Sequence, residues 1–455
     1  MKQILLLLAG CLPTLAIFSQ HDSLLKKFKY RIDQFRAVSF NGGGGSQYQQ
    51  RVLSSGETIN NSSSVNLGGT YFALKSTDLQ LLTVSAYVGT HFYRNKNIQP
   101  SSSKRNSSFS ISPCTSILNK WFTRHRFLEL GADINASYNH NKETTASLPG
   151  KQIAHGYSFQ LNTGIGSGRL ENITDMQNAM WLNKALASVN RLSRVLTADE
   201  LNGLGRAITR ANNTRVLDQR KRTQFVLTTV DGYLQQQDLV NTTDINYFSN
   251  LNDILFFAFN NPRLSGTEKF IRFTPSVNGS GRDDSGTGAS SASKYQDRFT
   301  TTSLTISTGI NKYIPTNLVH QNNYGASIQA SYGTRDVLVR FYNSGGGVNE
   351  TKYNFIGRLA SINAFYTHAI YPNTRTTIAG NFQSEFGYQS NDDSQYTFGR
   401  TSIDATLNYF ISYRTRLTAT IGAEYQKNAY RTFQAMTGVP ENTRLYANGG
   451  IEINL

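Results

Sequence analysis

The sequence has few cysteines, few prolines and no long hydrophobic run. Its 455 residues include 2 Cys and 9 Pro. Cys11 lies in an apolar N-terminal segment typical of an export signal. Cys114 then remains alone, which excludes an internal disulfide and a zinc site built from several cysteines. No later segment approaches the roughly 18 apolar residues of a membrane-spanning helix.

Sequence motifs of catalysis and of cofactor binding are also missing. The chain has no G-x-S-x-G nucleophile motif, and the Gly42–Gly45 run lacks the lysine and the helix of a phosphate-binding loop. The 7 histidines show no metal-binding spacing. We therefore expect no enzyme activity, no cofactor, and no catalytic, cofactor-binding or metal-ligating residue.

The formal net charge of +16 is strongly basic. Basic proteins bind nucleic acid or anionic lipid headgroups, depending on where they reside. The cations here are scattered, and no recognised nucleic-acid module is present, so a nucleic-acid partner is not expected.

The N-terminus has the features of a signal peptide. Lys2 provides a positive start, Ile4 to Phe18 is largely apolar, and Ser19-Gln20 resembles a cleavage region. We assign residues 1–20 to this signal. The run from Leu8 to Cys11 resembles a lipobox, so lipidation at Cys11 stays open as an alternative.

Strict alternation of apolar and polar residues dominates the C-terminal segment from Thr401 onward. Side chains on a β-strand change faces at every residue, so this period indicates strands with one apolar and one polar face. The apolar face includes Ile403, Ala405, Leu407, Tyr409, Ile411, Leu417, Ala419, Ile421, Ala423 and Tyr425.

Similar alternation recurs about fourteen times. Short turns and longer polar connections alternate between these segments, and residues 49–61, 95–105 and 281–294 are examples of the longer kind. Barrels of the outer membrane have short periplasmic turns and longer external loops. This rhythm places both termini in the periplasm. The predicted strands are 34–48, 62–76, 78–94, 106–119, 124–140, 153–169, 268–280, 295–313, 318–341, 352–371, 374–391, 395–413, 417–430 and 442–455.

Residues 174–262 break this pattern and show a helical period instead. Ala179, Leu182 and Leu186 recur at three- and four-residue spacing. Thr197 and Glu200 have the form of a capping box at the start of a further helix. The sequence predicts a helical insertion on the periplasmic side, which either docks at the barrel opening or forms a small core of its own.

Charged residues of both signs fall on the polar face of the C-terminal strands. Such charges either line a watery pore or cross-link an occluded lumen, and both alternatives stay open. Leu24 to Phe35, an amphipathic lead-in, and the helical insertion are the two candidates for filling the lumen. The predicted lumen-facing residues are Glu385, Arg400, Asp404, Arg416, Glu424, Arg444 and Glu452.

These features resemble Gram-negative outer-membrane β-barrel proteins, with no specific family indicated. The resemblance implies an all-β transmembrane antiparallel barrel of about 14 strands with an inserted periplasmic α-helical subdomain. Its parts are the signal peptide (1–20), N-terminal strands (21–173), the helical insertion (174–262) and C-terminal strands (263–455).

The function expected from this resemblance is a channel or transport component in contact with outer-membrane lipid and lipopolysaccharide. One alternative is a non-conducting anchor or assembly protein whose helical insertion binds a periplasmic protein. Arg220, Lys221 and Arg222 form the densest cationic run and are the candidate residues for that partner. A membrane-embedded hydrolase is a further, less favoured alternative.

Overall fold

The structure is a computed structural model and describes residues 21–453. Gaps in this range fall at 54–55, 100–101, 146–148, 215, 217, 258–262, 288–291, 343–346, 392–393, 413–414 and 433–440. The predicted signal peptide and Cys11 lie outside the described residues. None of the helices in the described ranges is long and apolar enough to span a membrane.

Fourteen antiparallel strands form one sheet in which each strand pairs with its neighbours in sequence. This up-and-down order confirms the predicted fold class and strand number. The strands are β1 (Ile32–Leu53), β2 (Gly56–Ser76), β3 (Gln80–Gln99), β4 (Ser102–Thr123), β5 (Arg126–Thr145), β6 (Pro149–Asn172), β7 (Leu264–Thr287), β8 (Ala292–Pro315), β9 (His320–Tyr342), β10 (Val348–Asn373), β11 (Thr376–Ser390), β12 (Ser394–Ser412), β13 (Thr415–Thr432) and β14 (Glu441–Ile453).

The apolar residues of the alternating pattern face outward. Ile421 is 65% exposed, whereas its neighbour Thr420 points to the other face and contacts Thr406 at 3.2 Å between their hydroxyl oxygens. Phe109 and Trp121 are 12 positions apart on β4. At a rise of about 3.3 Å per residue and a tilt of about 45°, they are separated by about 28 Å along the barrel axis, which matches the apolar band of a membrane barrel.

The strands extend much further than the alternation predicted. The connections expected to be long at 49–61, 95–105 and 281–294 are largely strand, because β1 continues to Leu53 and β2 begins at Gly56. Arg51 there pairs with Thr58. Outside the lipid a strand needs no apolar face, so hydrophobic periodicity does not detect these polar extensions.

Five helices complete the described chain. A short helix α1 (His21–Lys27) precedes β1. Four helices, called here the helical block, separate β6 from β7. They are α2 (Thr174–Ser188), α3 (Ala198–Asn213), α4 (Gln219–Gln236) and α5 (Ile245–Phe257). The predicted capping box is present at the start of α3, where Thr197 accepts from the amide of Glu200 and the Glu200 side chain accepts from that of Thr197.

The helical block lies at the end of the sheet where β1 begins and β14 ends, called here the lower end. Within the described residues β1 and β14 do not pair with each other, so each leaves a sheet edge. The sheet is nevertheless curved, as the contact between Arg31, before β1, and Glu171, at the end of β6, shows.

Candidate functional site at the lower end of the barrel

The helical block and the N-terminal segment share one hydrophobic core. Leu25 and Phe28, from the predicted amphipathic lead-in, are fully or almost fully buried among the apolar residues of α2 to α5. Leu318 and Val319, from the β8–β9 turn, pack against the same core. The lead-in and the helical block therefore form a single unit that contacts the sheet at its lower end.

Helix α2 is buried on nearly all sides. Met176, Ala179 and Leu182 contribute to the shared core, while Asn178 and Trp181 are also buried. A helix with one exposed face would leave its polar side in water, so burial all round indicates that α2 is enclosed by other elements. The side-chain amide of Gln177 donates to the carbonyl of Leu318, at 3.4 Å.

An ion-pair network connects three separate elements at the lower end. Arg31 donates two hydrogen bonds to the Glu171 carboxylate, at 2.8 and 3.0 Å, and one to Asp78 in the β2–β3 turn, at 2.8 Å. Arg169 lies 3.1 Å from Glu171 and donates to the carbonyl of Thr77 at 2.6 Å. We call Arg31, Asp78, Arg169 and Glu171 the lower clamp.

A left-handed backbone at Gly168 directs Arg169 toward the clamp. Up to Gly166, the even-numbered residues of β6 face inward. A side chain at Gly166 would contact the Phe127 ring. Gly168 has a φ of +86°, a conformation that L-residues with a side chain rarely adopt. Beyond it the odd-numbered Arg169 faces inward and stacks on the Phe122 ring, with 4.5 Å between the guanidinium carbon and the ring centroid.

Arg263, just before β7, makes the second link between the helical block and the sheet. It is fully buried and donates to the carbonyls of Leu318 and His320, each at 2.8 Å. It also donates to the carbonyl of Asn317 and to the Gln321 side chain. Buried guanidinium groups require such partners, so Arg263 fixes the β8–β9 turn against the end of the helical block.

A third link lies farther along the strand order. Arg375 in the β10–β11 turn donates to Asp253 of α5 at 2.6 Å. The three links involve turns β2–β3, β8–β9 and β10–β11, which are distributed along the strand order. The N-terminal segment and the helical block, which share one core, are therefore held together across the lower end rather than against one strand.

Four charged side chains fill the inner face of β4, β5 and β7. Lys120 lies 2.6 Å from Glu268 and 3.2 Å from Glu129, and Arg272 lies 2.7 Å from Glu129. Lys120, Glu129 and Glu268 are almost completely buried. Burial of these ions is tolerated because each has an opposite charge in contact. Lys120 and Glu129 are opposite each other on the β4–β5 hairpin, whereas the contacts of Lys120 with Glu268 and of Glu129 with Arg272 join strands more than 100 residues apart.

Glycines on β6 provide the space for this packing. Gly164 lies between Glu129 and Arg272 in the same cross-strand row, and a Cβ there would stand 3.0 Å from the Arg272 side chain. In the next row Gly166 lies between Phe127 and Phe270. The glycines at 164 and 166 thus leave room for large side chains to extend across the inner wall.

The predicted lumen-facing residues share one face in the strand register of β11 to β14. Arg400 donates to Glu424 at 2.7 Å, and their side chains are 57% and 20% exposed. Asp404 accepts from Asn381 at 2.7 Å. In the strand register, Glu385 is opposite Arg400, Arg444 is opposite Glu424, and Glu452 is opposite Arg416. The side chain of Glu452 lies outside the described residues.

The cationic run predicted to bind a partner begins α4. Lys221 is exposed and Arg222 is half-buried, while the side chain of Arg220 lies outside the described residues. Their role in binding a partner remains a prediction.

Asp175 is a buried carboxyl group within the helical block. It accepts from Thr209 at 2.7 Å and from Asn212 at 3.1 Å, both of which are neutral donors. Burial raises the pKa of Asp175 to about 6. Burial and the nearby Asp175 also raise the pKa of Tyr30, which follows α1, to about 12. The contact between α2 and α3, close to Tyr30, therefore contains an acid with a pKa of about 6.

The described ranges contain no group of three His, Cys, Asp or Glu side chains placed to hold a metal ion. His320 and His368 do approach each other, with 3.4 Å between Nδ1 of the first and Nε2 of the second. Sequence spacing does not predict this approach, because it arises from the pairing of β9 with β10.

No protein-family model matches the chain, and no curated protein sequence matches it either. Solved structures similar to it include the ferric yersiniabactin uptake receptor FyuA from Yersinia pestis, at 5% identity and a TM-score of 0.33 over 92% of this chain and 72% of that one. The toluene transporter TodX from Pseudomonas putida has 10% identity and a TM-score of 0.29 over 91% and 93%. The translocator domain of NalP from Neisseria meningitidis has 9% and 0.25 over 84% and 90%.

The chain has the architecture of a Gram-negative outer-membrane β-barrel. Its consecutive antiparallel strands, even strand number and apolar outer face are the defining features of that class. The architectural resemblance and the outer-membrane location predicted from the sequence are confirmed, and no specific family emerges.

Proposed function

We propose that the protein is a transport component of the outer membrane, a channel whose periplasmic opening is closed by the helical block. The observation that carries this proposal is the attachment of the N-terminal segment and the helical block, which share one core, to turns β2–β3, β8–β9 and β10–β11. A unit held at several points of the ring lies across the opening and obstructs passage through it.

The interior above the helical block supports a transport role. Its inner wall on β11 to β13 carries Asn, Thr, Asp, Arg and Glu side chains that are only partly buried. A lumen that served only to stabilise the wall could be filled with packed residues, as the β4–β7 side is. The polar and accessible side is instead suited to a water-filled path.

The test is conductance of the purified full-length chain in planar bilayers, compared with a variant lacking residues 174–262. We expect the full-length protein to be mostly closed and the deletion variant to show stepwise currents. Absence of current from both proteins, with correct folding shown by heat-modifiable migration in gels, would refute the channel.

The non-conducting anchor is the second candidate, and exposed apolar residues on the helical block favour it. Val195, Ile245 and Phe248 are exposed at the side chain. Exposed apolar groups on a block facing the periplasm could contact a partner protein. Capture of a periplasmic protein that depends on residues 174–262, together with zero conductance of both proteins, would support this role.

A hydrolase remains the weakest candidate. The buried acids Glu129 and Glu268 are engaged by Lys120 and Arg272, an arrangement that stabilises the wall. Nucleophilic catalysis requires an acid or base held beside a nucleophile. We therefore propose a role without catalysis.

A further inference from the structure

Two groups of strands have unlike inner faces. On β4 to β7 the inner face is closely packed, with Phe122, Phe127 and Phe270 beside the buried ions. On β11 to β13 its side chains are polar and remain partly accessible. A path for solutes through this lumen would therefore run along the β11–β13 side.

Hydrogen bonds connect the polar residues of that side row by row. From the lower end upward, Thr418 donates to Asn408 at 3.1 Å, and Thr420 contacts Thr406 at 3.2 Å. In the next row Asn381 donates to Asp404 at 2.7 Å. We call these six residues the polar track.

Charges at the upper end of the polar track are balanced. The strand register aligns Glu385 with Arg400 and Glu424 with Arg444, so four consecutive strands carry two acids and two bases. Arg400 and Glu424 are in direct contact at 2.7 Å. Balanced and paired charges attract neither cations nor anions strongly, whereas a ring of one sign would select the opposite ion.

We infer that the polar track is the solute path of this barrel and that it favours neutral, hydroxyl-rich solutes such as small sugars. Its Asn and Thr side chains both donate and accept hydrogen bonds, which suits hydroxyl groups. The four charges at the upper end of the track cancel, and the one carboxylate of the track, Asp404, is hydrogen-bonded to Asn381, so ions of either sign gain little from this wall in exchange for their hydration. This inference rests on the proposed channel function.

The position of the path is tested by cysteine modification in the full-length chain carrying Cys114→Ser and the clamp-releasing substitution Glu171→Gln. Thr406→Cys or Thr420→Cys is treated with a thiol-reactive quaternary ammonium reagent during bilayer recording. We expect conductance to fall by about half, because the added group occupies the path. Matched controls are Ser307→Cys, on the inner wall near Arg272, and Ala405→Cys, on the lipid-facing side.

Solute class is tested with the same full-length background in liposome-swelling assays. Glucose should enter roughly threefold faster or more than gluconate or glucosamine, which are similar in size but charged. Arg400→Gln removes one base of the balanced set, and it should shift the reversal potential in a KCl gradient toward cation selectivity.

The outcomes separate the two proposals. If the Glu171→Gln protein and the 174–262 deletion both conduct no current, the channel and the polar track fail together. If current is present but Ser307→Cys is blocked while Thr406→Cys and Thr420→Cys are not, the channel stands and the path is refuted. Equal entry of glucose, gluconate and glucosamine would refute the inferred solute class.

Discussion

Arg31 and Glu171 are joined by two parallel hydrogen bonds of 2.8 and 3.0 Å, although 140 positions separate them in the chain. Arg31 precedes the first strand and Glu171 nearly ends the sixth, so the pair spans the lower end of the barrel. Two-point contacts between guanidinium and carboxylate fix orientation as well as distance. This pair thereby fixes the N-terminal segment relative to the start of the helical block.

Replacing Glu171 with Gln should loosen the helical block. A hydrogen bond to a charged group contributes about 1.5–3 kcal/mol, which corresponds to roughly ten- to hundredfold in an equilibrium constant. We expect amide hydrogen exchange in 21–30 and in α2 to accelerate by up to that factor. Glu143→Gln, which removes an exposed ion pair with Lys104, is the control and should leave exchange unchanged. Equal exchange in both variants would contradict a role for the clamp.

Asp175 should make the stability of the helical block depend on pH. Its pKa in the folded protein is raised from 3.8 to about 6, so the folded state binds the proton more tightly than the unfolded state. The contribution of Asp175 to stability is therefore greatest below pH 4, falls as the pH rises toward about 6, and is constant above that. The pKa difference corresponds to about 3 kcal/mol.

Asp175→Asn removes the titrating group, and the helical block should then be equally stable between pH 4 and pH 7. The measurement is the exchange rate of α2 and α3 amides, corrected for intrinsic pH effects. A wild-type protein whose corrected rates do not change across this range would disprove the assignment.

Ile421 and Thr420 provide a direct test of which face meets lipid. An arginine facing lipid near mid-membrane costs about 2–4 kcal/mol, whereas the lumen accepts polar groups. Ile421→Arg should therefore greatly reduce the amount of folded protein in outer-membrane fractions, and Thr420→Arg should reduce it little. If both variants insert equally well, the assignment of faces is wrong.

Much of the fold can be predicted from the sequence, because lipid imposes a period of two on every strand that crosses it. The pattern around Ile421 predicts its outward face, and the helical period around Leu182 predicts the insertion. The same reasoning fails above the membrane, where Arg51 and Thr58 pair without any apolar face. The hydrophobic period of two is present where a strand contacts lipid, whereas strand pairing continues beyond that contact.

The site at the lower end is less predictable for a different reason. The alternation places Glu129 on the polar face of its predicted strand, whereas Lys120 lies just beyond the predicted strand 106–119 and is brought to the inner face because β4 continues to Thr123. The contacts of Lys120 with Glu268 and of Glu129 with Arg272 depend on the register of strands separated by the whole helical block. The inward position of Arg169 is harder still to predict, because the left-handed backbone at Gly168 reverses the alternation just before it.

Gly166 should tolerate no side chain. A Cβ at this position would overlap the Phe127 ring and the carbonyl oxygen of Lys269. Overpacking of this kind typically costs about 1–3 kcal/mol. Gly166→Ala should lower the urea midpoint of unfolding, and adding Phe127→Leu should restore part of the loss. Gly380→Ala is the control, because nothing lies within 4 Å of a Cβ at that glycine. Similar midpoints for Gly166→Ala and Gly380→Ala would argue against a packed inner wall.

Strands β1 and β14 should pair in the membrane and close the barrel. Within the described ranges the two strands are edges of the sheet, and each edge presents unpaired backbone groups. Such groups in lipid cost several kcal/mol each, so closed barrels are the sheets that span membranes. The start of β1 and the end of β14 lie at the same end of the sheet, which is the antiparallel arrangement that closure requires.

Cysteine cross-linking in membranes tests this closure. In a Cys114→Ser background, Asn448→Cys on β14 is combined in turn with cysteine at the inward β1 positions 37, 39, 41, 43 and 45. A disulfide requires Cα atoms about 4.4–6.8 Å apart, so we expect one or two adjacent positions to cross-link and thereby reveal the register. Thr420→Cys on β13, one strand further from β1 at about 4.8 Å per strand, is the control and should cross-link at none. Failure of every β1 position to cross-link with Asn448→Cys would show that the seam stays open in the membrane.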